Sequence, residues 1–146
     1  MEELAKIRII CTGNTCRSPM AEALFRQLLA ESGRRADCAS AGLAAAVGAP
    51  ASEEAQAACR EIGLDLSGHR ARALSAYDLD AHFAVMTPAH AAALRSAGVP
   101  EGRVWVLGGG IPDPFGGGPA EYRACRDALA PAVREYFARL VREGLL

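Results

Sequence analysis

Cys11 and Arg17 stand six positions apart, bracket Thr12-Gly13-Asn14-Thr15-Cys16, and are followed by Ser18-Pro19. A cysteine supplies a thiolate nucleophile, and an arginine a planar fork for two oxygens of a phosphate dianion. The spacing alone is a weak signal, because a chain with 5 cysteines and a single lysine among its 16 basic residues throws up such pairs by chance. Context gives it meaning. The pair encloses a Gly/Asn turn after a β-branched run and before a helical pattern, an arrangement that aims several backbone N–H groups and a helix N-terminus at one point. A phosphate held by the amides of residues 12–17 and by the Arg17 fork would lie with its phosphorus above Cys11. The same positive potential favours the thiolate, and Ser18 is placed to donate a hydroxyl hydrogen bond to it. Attack on phosphorus would give a cysteinyl-phosphate, later hydrolysed. The leaving group then needs a proton. Asp113, held between Pro112 and Pro114, is the candidate acid and subsequently the base for water, with Phe115 flanking the leaving group.

These residues must be positioned by regular elements. Ile7, Ile9 and Ile10 make a buried strand ending at Cys11. A helix is expected from Ser18, with Ser18 as cap and Pro19 at its first position, to Ser32-Gly33. Strands follow over 38–41, 81–86 and 104–107. Helices are expected over 52–62, 88–97 and 121–143, with a Gly/Pro-rich loop over 108–119. Such alternation predicts an α/β fold: one domain over 1–146, a doubly wound four-stranded parallel sheet with helices on both faces. Ligands of such sheets bind at the carboxyl ends of strands, so the loops after the first and fourth strands should meet.

Composition bounds the partners. The chain has 146 residues, 51% hydrophobic, with a formal net charge of -1. That is enough chain for one core without disulfides, and too little positive charge for nucleic acid or an anionic membrane as main partner. No apolar run is long enough for a membrane span or an export signal, so a cytoplasmic protein with free thiols is expected. No metal site is expected, because no second Cys or His pair stands at ligand spacing near Cys11 and Cys16.

The run CTGNTCRSPMAE over 11–22, Asp113-Pro114, and the order of elements across nearly the whole chain resemble the low-molecular-weight protein tyrosine phosphatases and their relatives. The resemblance implies that fold, with Cys11 as nucleophile, Arg17 as phosphate ligand and Asp113 as acid. It implies a cofactor-free monomer acting on phosphorylated proteins. It also implies a hydrogen-bond network behind the loop from Asn14, Ser18, Ser40 and His69. Thr15, where phosphotyrosine-specific members carry a bulkier aliphatic residue, and the run Asp113-Pro114-Phe115-Gly116-Gly117 look like the protein arginine phosphatase branch. A hydroxyl at 15 suits a guanidinium edge, whereas an aliphatic group suits a phenyl ring.

Other readings stand beside these. Cys16 is either a structural thiol or the partner of a protective disulfide with oxidised Cys11. Cys38, Cys59 and Cys125 read as core or surface thiols. His82 and His90 read as a sheet-end and a helix-surface residue, and Arg70 and Arg72 as a solvated face. Phosphoarginine is ranked above phosphotyrosine as substrate. Arsenate reduction is disfavoured, because the 82–90 region lacks relay cysteines. A phosphate-reading module without turnover would need neither thiol nor acid.

Overall fold

The structure, a computed structural model, describes residues 3–146. Its elements run β1 (Lys6–Cys11), α1 (Arg17–Ser32), β2 (Asp37–Gly42), α2 (Glu53–Arg60), β3 (His82–Val85), α3 (Pro88–Ser96), β4 (Val104–Val106) and α4 (Pro119–Arg142). The four strands form one parallel sheet in the order β2-β1-β3-β4. Ile7 pairs with Cys38 on one side and His82 on the other, so β1 is central and its apolar run is buried on both faces.

Alternation along β1 assigns the faces. Ile7, Ile9 and Cys11 join the larger core with Met20, Phe25, Leu129 and Tyr136 of α1 and α4. Ile10 faces the other way, with Phe83, Val85, and Ala91 and Leu94 of α3. Arg8 shares that second face and is buried, its Nε 2.7 Å from Oδ1 of the equally buried Asp78. A cation within a run of isoleucines is tolerated because this partner, together with Asp37 whose Oδ1 lies 3.2 Å from its Nη1, neutralises it.

The element boundaries differ from the sequence expectation for identifiable reasons. Ser18 is not the cap of α1. Cys16 occupies that position without a side-chain bond, and Ser18 lies inside the helix with its hydroxyl turned to Cys11. α2 stops at Arg60 instead of 62, because the Ile62 and Leu64 amides both turn back to the Cys59 carbonyl and Gly63 takes φ 81°. α4 begins at Pro119, where proline suits the first helical position, and the Glu121 carboxylate accepts the Gly118 N–H at 2.9 Å. Leu107 leaves β4 for a short 3-10 turn over Leu107–Gly109.

The chain crosses from β1 to one edge as β2, then returns past β1 to build β3 and β4 on the other side. The connections after β1 and β3 therefore leave in opposite directions and open a crevice at the carboxyl edge, as in other doubly wound sheets. Among the described residues, no helix is long and apolar enough to cross a membrane.

Candidate active site

The loop between β1 and α1 fills this crevice. Asn14 takes φ 58°, the left-handed conformation that asparagine adopts more readily than most residues. The Asn14 N–H donates to the Cys11 sulfur at 3.2 Å. Gly42 of β2 makes the close approach possible, since a Cβ there would stand 2.6 Å from the Thr12 carbonyl oxygen and 3.1 Å from the Asn14 nitrogen.

Cys11 Sγ lies 2.9 Å from Ser18 Oγ. The Ser18 oxygen accepts a hydrogen bond from Asn14 Nδ2 at 2.8 Å, which leaves its own proton to point at the sulfur. Asn14 Nδ2 also donates to Ser40 Oγ at 2.9 Å, and Asn14 Oδ1 accepts the Arg72 N–H at 2.9 Å. The Asn14 carbonyl is 2.6 Å from His69 Nε2. Asn14, Ser18, Ser40 and His69 are thus brought together behind the loop.

Arg17 opens α1 and is buried, with Nη1 donating to the Ile111 carbonyl at 2.8 Å. Its other branch, Nη2, lies 3.7 Å from Asp113 Oδ2. Asp113 is half exposed, and its Oδ1 accepts the Phe115 N–H at 3.1 Å, an Asx turn that fixes the carboxyl between its two prolines. A cavity of about 240 Å³ is lined by Cys11, Thr12, Gly13, Thr15, Cys16, Arg17, Asp113 and Phe115. Phe115 lines this cavity and is itself 80% exposed. With the N-terminus of α1 and a guanidinium on one wall, the cavity suits an oxyanion beside a sulfur nucleophile. A carboxyl stands within reach of whatever leaves.

Four residues that the sequence reading did not place in the site also hold it. His90 is buried, not on a helix surface: Nε2 lies 2.9 Å from Thr12 Oγ1. Thr87 caps α3 and Pro88 starts it, so residue 90 falls in the first turn at the carboxyl edge of the sheet; that cap-proline pattern was the available signal. Arg72 is not a solvated-face residue. It pairs with Asp78 at 2.9 Å and donates to the Ser40 carbonyl, while Arg70 stays exposed. Burial raises the Asp78 carboxyl, but Arg8, the Ser75 amide and Arg72 outweigh it and hold the pKa at about 2. Tyr122, from the buried stripe of α4, brings its hydroxyl 3.3 Å from Cys16 Sγ. All five cysteines are free and buried, and burial pushes the Cys38 and Cys125 thiols up to about 12.

A comparison with known families matches residues 6–145 to the low molecular weight phosphotyrosine protein phosphatases. The chain is 35% identical to a protein-arginine-phosphatase of Geobacillus stearothermophilus, covering 94% of this chain and 97% of that one. It is 38% identical to the low molecular weight protein-tyrosine-phosphatase Wzb of Salmonella typhi, covering 94% and 90% respectively. Among solved structures, the YwlE arginine phosphatase of G. stearothermophilus superposes with a TM-score of 0.85 at 33% identity, over 97% of this chain and 96% of that one. The agreement spans the sheet, the loop after β1 and the loop carrying Asp113 alike, and on that ground the chain belongs to the low molecular weight phosphotyrosine protein phosphatase family.

Proposed function

We propose that this protein is a cysteine-dependent phosphatase that hydrolyses phosphoarginine in proteins. The Cys11 thiolate attacks phosphorus, the bond from phosphorus to the guanidine nitrogen breaks, and Asp113 gives that nitrogen its proton. Water then attacks the cysteinyl-phosphate, Asp113 takes up a proton from it, and inorganic phosphate and the thiolate are released. Arg17 and the loop amides hold the phosphoryl oxygens throughout. The substrates are phosphorylated proteins of the cytoplasm.

Relatives named for arginine and for tyrosine both match, so the choice rests on the cavity. The observation that carries it is Thr15, which lines the same 240 Å³ space as Cys11 and Arg17. Among the described residues its hydroxyl has no closer side-chain hydrogen-bond partner than Cys16 Sγ, at 3.8 Å. That leaves a polar group free for the N–H edge of a guanidinium, where an aliphatic residue would offer a surface for a phenyl ring. The test compares kcat/KM on phosphoarginine with that on phosphotyrosine peptides, for the wild type and for Thr15→Ile. Wild type should prefer phosphoarginine, and the substitution should move the ratio toward phosphotyrosine by about tenfold or more. A wild-type preference for phosphotyrosine, or a ratio unmoved by the substitution, refutes the reading.

A further inference from the structure

His90 is a buried polar side chain with one satisfied and one orphaned nitrogen. Nε2 is 2.9 Å from Thr12 Oγ1, whereas Nδ1 is buried with no hydrogen-bond partner among the described residues. His90 is 7% exposed and sits in the first turn of α3, with its ring beside the nucleophile loop.

The orphaned atom decides the tautomer. A buried N–H without an acceptor is rarer and costlier than a buried lone pair, so the proton of the neutral ring belongs on Nε2. The imidazolium form is disfavoured for the same reason, since it would put a second N–H at the dry Nδ1 position. Burial pushes the His90 pKa down and the Arg17 guanidinium adds to this, while Asp113 opposes it. Nε2–H then donates to Thr12 Oγ1, which fills the acceptor side of that hydroxyl and turns its proton away from the ring. Thr12 is exposed and lines the cavity with Cys11 and Arg17. Its proton is therefore offered to the cavity. The phosphoryl oxygens are the acceptors that a phosphoarginine and a phosphotyrosine alike place there.

We propose that His90 is a positioning residue that, through Nε2–H, orients the Thr12 hydroxyl as a further hydrogen-bond donor to a bound phosphoryl oxygen. The proposal rests on the phosphatase reading for its ligand class, and not on the choice between arginine and tyrosine.

The experiment measures orthovanadate binding directly by calorimetry in wild type, Thr12→Val, Thr12→Ser, His90→Phe, His90→Gln and the Thr12→Val/His90→Phe double variant. Thr12→Val and His90→Phe should each weaken binding by about 10- to 100-fold, the range for one hydrogen bond to a charged group. The double variant should bind no worse than Thr12→Val alone, because the two residues act as one unit. Thr12→Ser, and His90→Gln with its terminal amide near the Nε2 position, should recover most of the affinity. In the unsubstituted protein, 15N spectra of the imidazole should show the Nε2–H tautomer near neutral pH, a readout that no variant's folding can spoil. Unchanged binding by Thr12→Val, multiplying losses in the double variant, or an Nδ1–H ring overturns the inference. Absence of turnover on phosphoarginine with vanadate binding behaving as described would instead refute the substrate reading and leave this inference standing.

Discussion

Replacing Asn14 by alanine removes three side-chain hydrogen bonds from a fully buried site: those to Ser18 at 2.8 Å, to Ser40 at 2.9 Å and from the Arg72 amide at 2.9 Å. The two serine oxygens lose a donor, and an oxygen lone pair left unpaired is less costly than an N–H, so each loss costs about 1 kcal/mol. The Arg72 N–H cannot rotate, and leaving it without an acceptor costs roughly 1–3 kcal/mol. Alanine must also adopt φ 58°, at a cost of about 1–2 kcal/mol. Together these amount to roughly 4–7 kcal/mol, a large share of the 5–15 kcal/mol stability of an ordinary domain. Asn14→Gly removes the same hydrogen bonds without the conformational cost, and the difference between the two variants isolates the backbone contribution. Urea unfolding gives both values, and kcat/KM on p-nitrophenyl phosphate reports the loop. Alanine should destabilise by about 1–2 kcal/mol more than glycine, and both should lose activity because the Asn14 N–H no longer faces the sulfur. A loss below about 1 kcal/mol for Asn14→Ala, or a glycine variant no more stable than the alanine one, refutes the claim that this side chain and its left-handed backbone hold the loop.

Gly42→Ala places a methyl group 2.6 Å from the Thr12 carbonyl oxygen, a backbone atom that cannot swing aside, so the loop must shift and both stability and kcat/KM should fall; crystal structures of the two forms would show the displacement. Asp113→Ala should lower kcat by about 10²–10⁴ on phosphoarginine and far less on p-nitrophenyl phosphate, whose leaving group departs without a proton; equal losses on both would remove the acid role. Cys11→Ser should abolish turnover while orthovanadate or phosphate still binds, and residual activity near wild type would overturn the nucleophile assignment. Asp78 makes stability sensitive to acid. Its carboxyl is held at about 2 in the folded protein against an ordinary 3.8, so its contribution is complete above about pH 4 and is lost as pH falls toward 2. That contribution is on the order of 2 kcal/mol, and in Asp78→Asn the fall in unfolding free energy across this window should be smaller by that amount.

The order of elements and the reacting groups were legible in the sequence because their signals are local. The isoleucines before Cys11, the Gly/Asn turn after it and Pro19 within the first turn of α1 specify strand, loop and helix from neighbours a few positions apart. Alternation of strands and helices then places the ends of β1 and β4 on one edge. Asp113 could be joined to Cys11 on that ground with a hundred residues between them.

The tertiary structure decided what depends on partners distant in sequence. Nothing near Arg8 foretells that it will be buried, because its tolerance comes from Asp78 and Asp37, 70 and 29 residues away. His90 sits beside Thr12 only because β3 pairs next to β1, and Arg72 caps the Asn14 side chain only because the chain returns past Gly42. Ser18 shows the division within one residue. Its place next to the nucleophile loop is written in the local pattern, but whether its hydroxyl caps a helix or faces a sulfur is settled by Asn14, which takes one of its lone pairs and leaves the proton for Cys11. Sequence fixes which groups are available, through short-range propensity and periodicity. The fold fixes which of their hydrogen-bonding directions remain free, since that depends on which neighbours the packed sheet brings alongside.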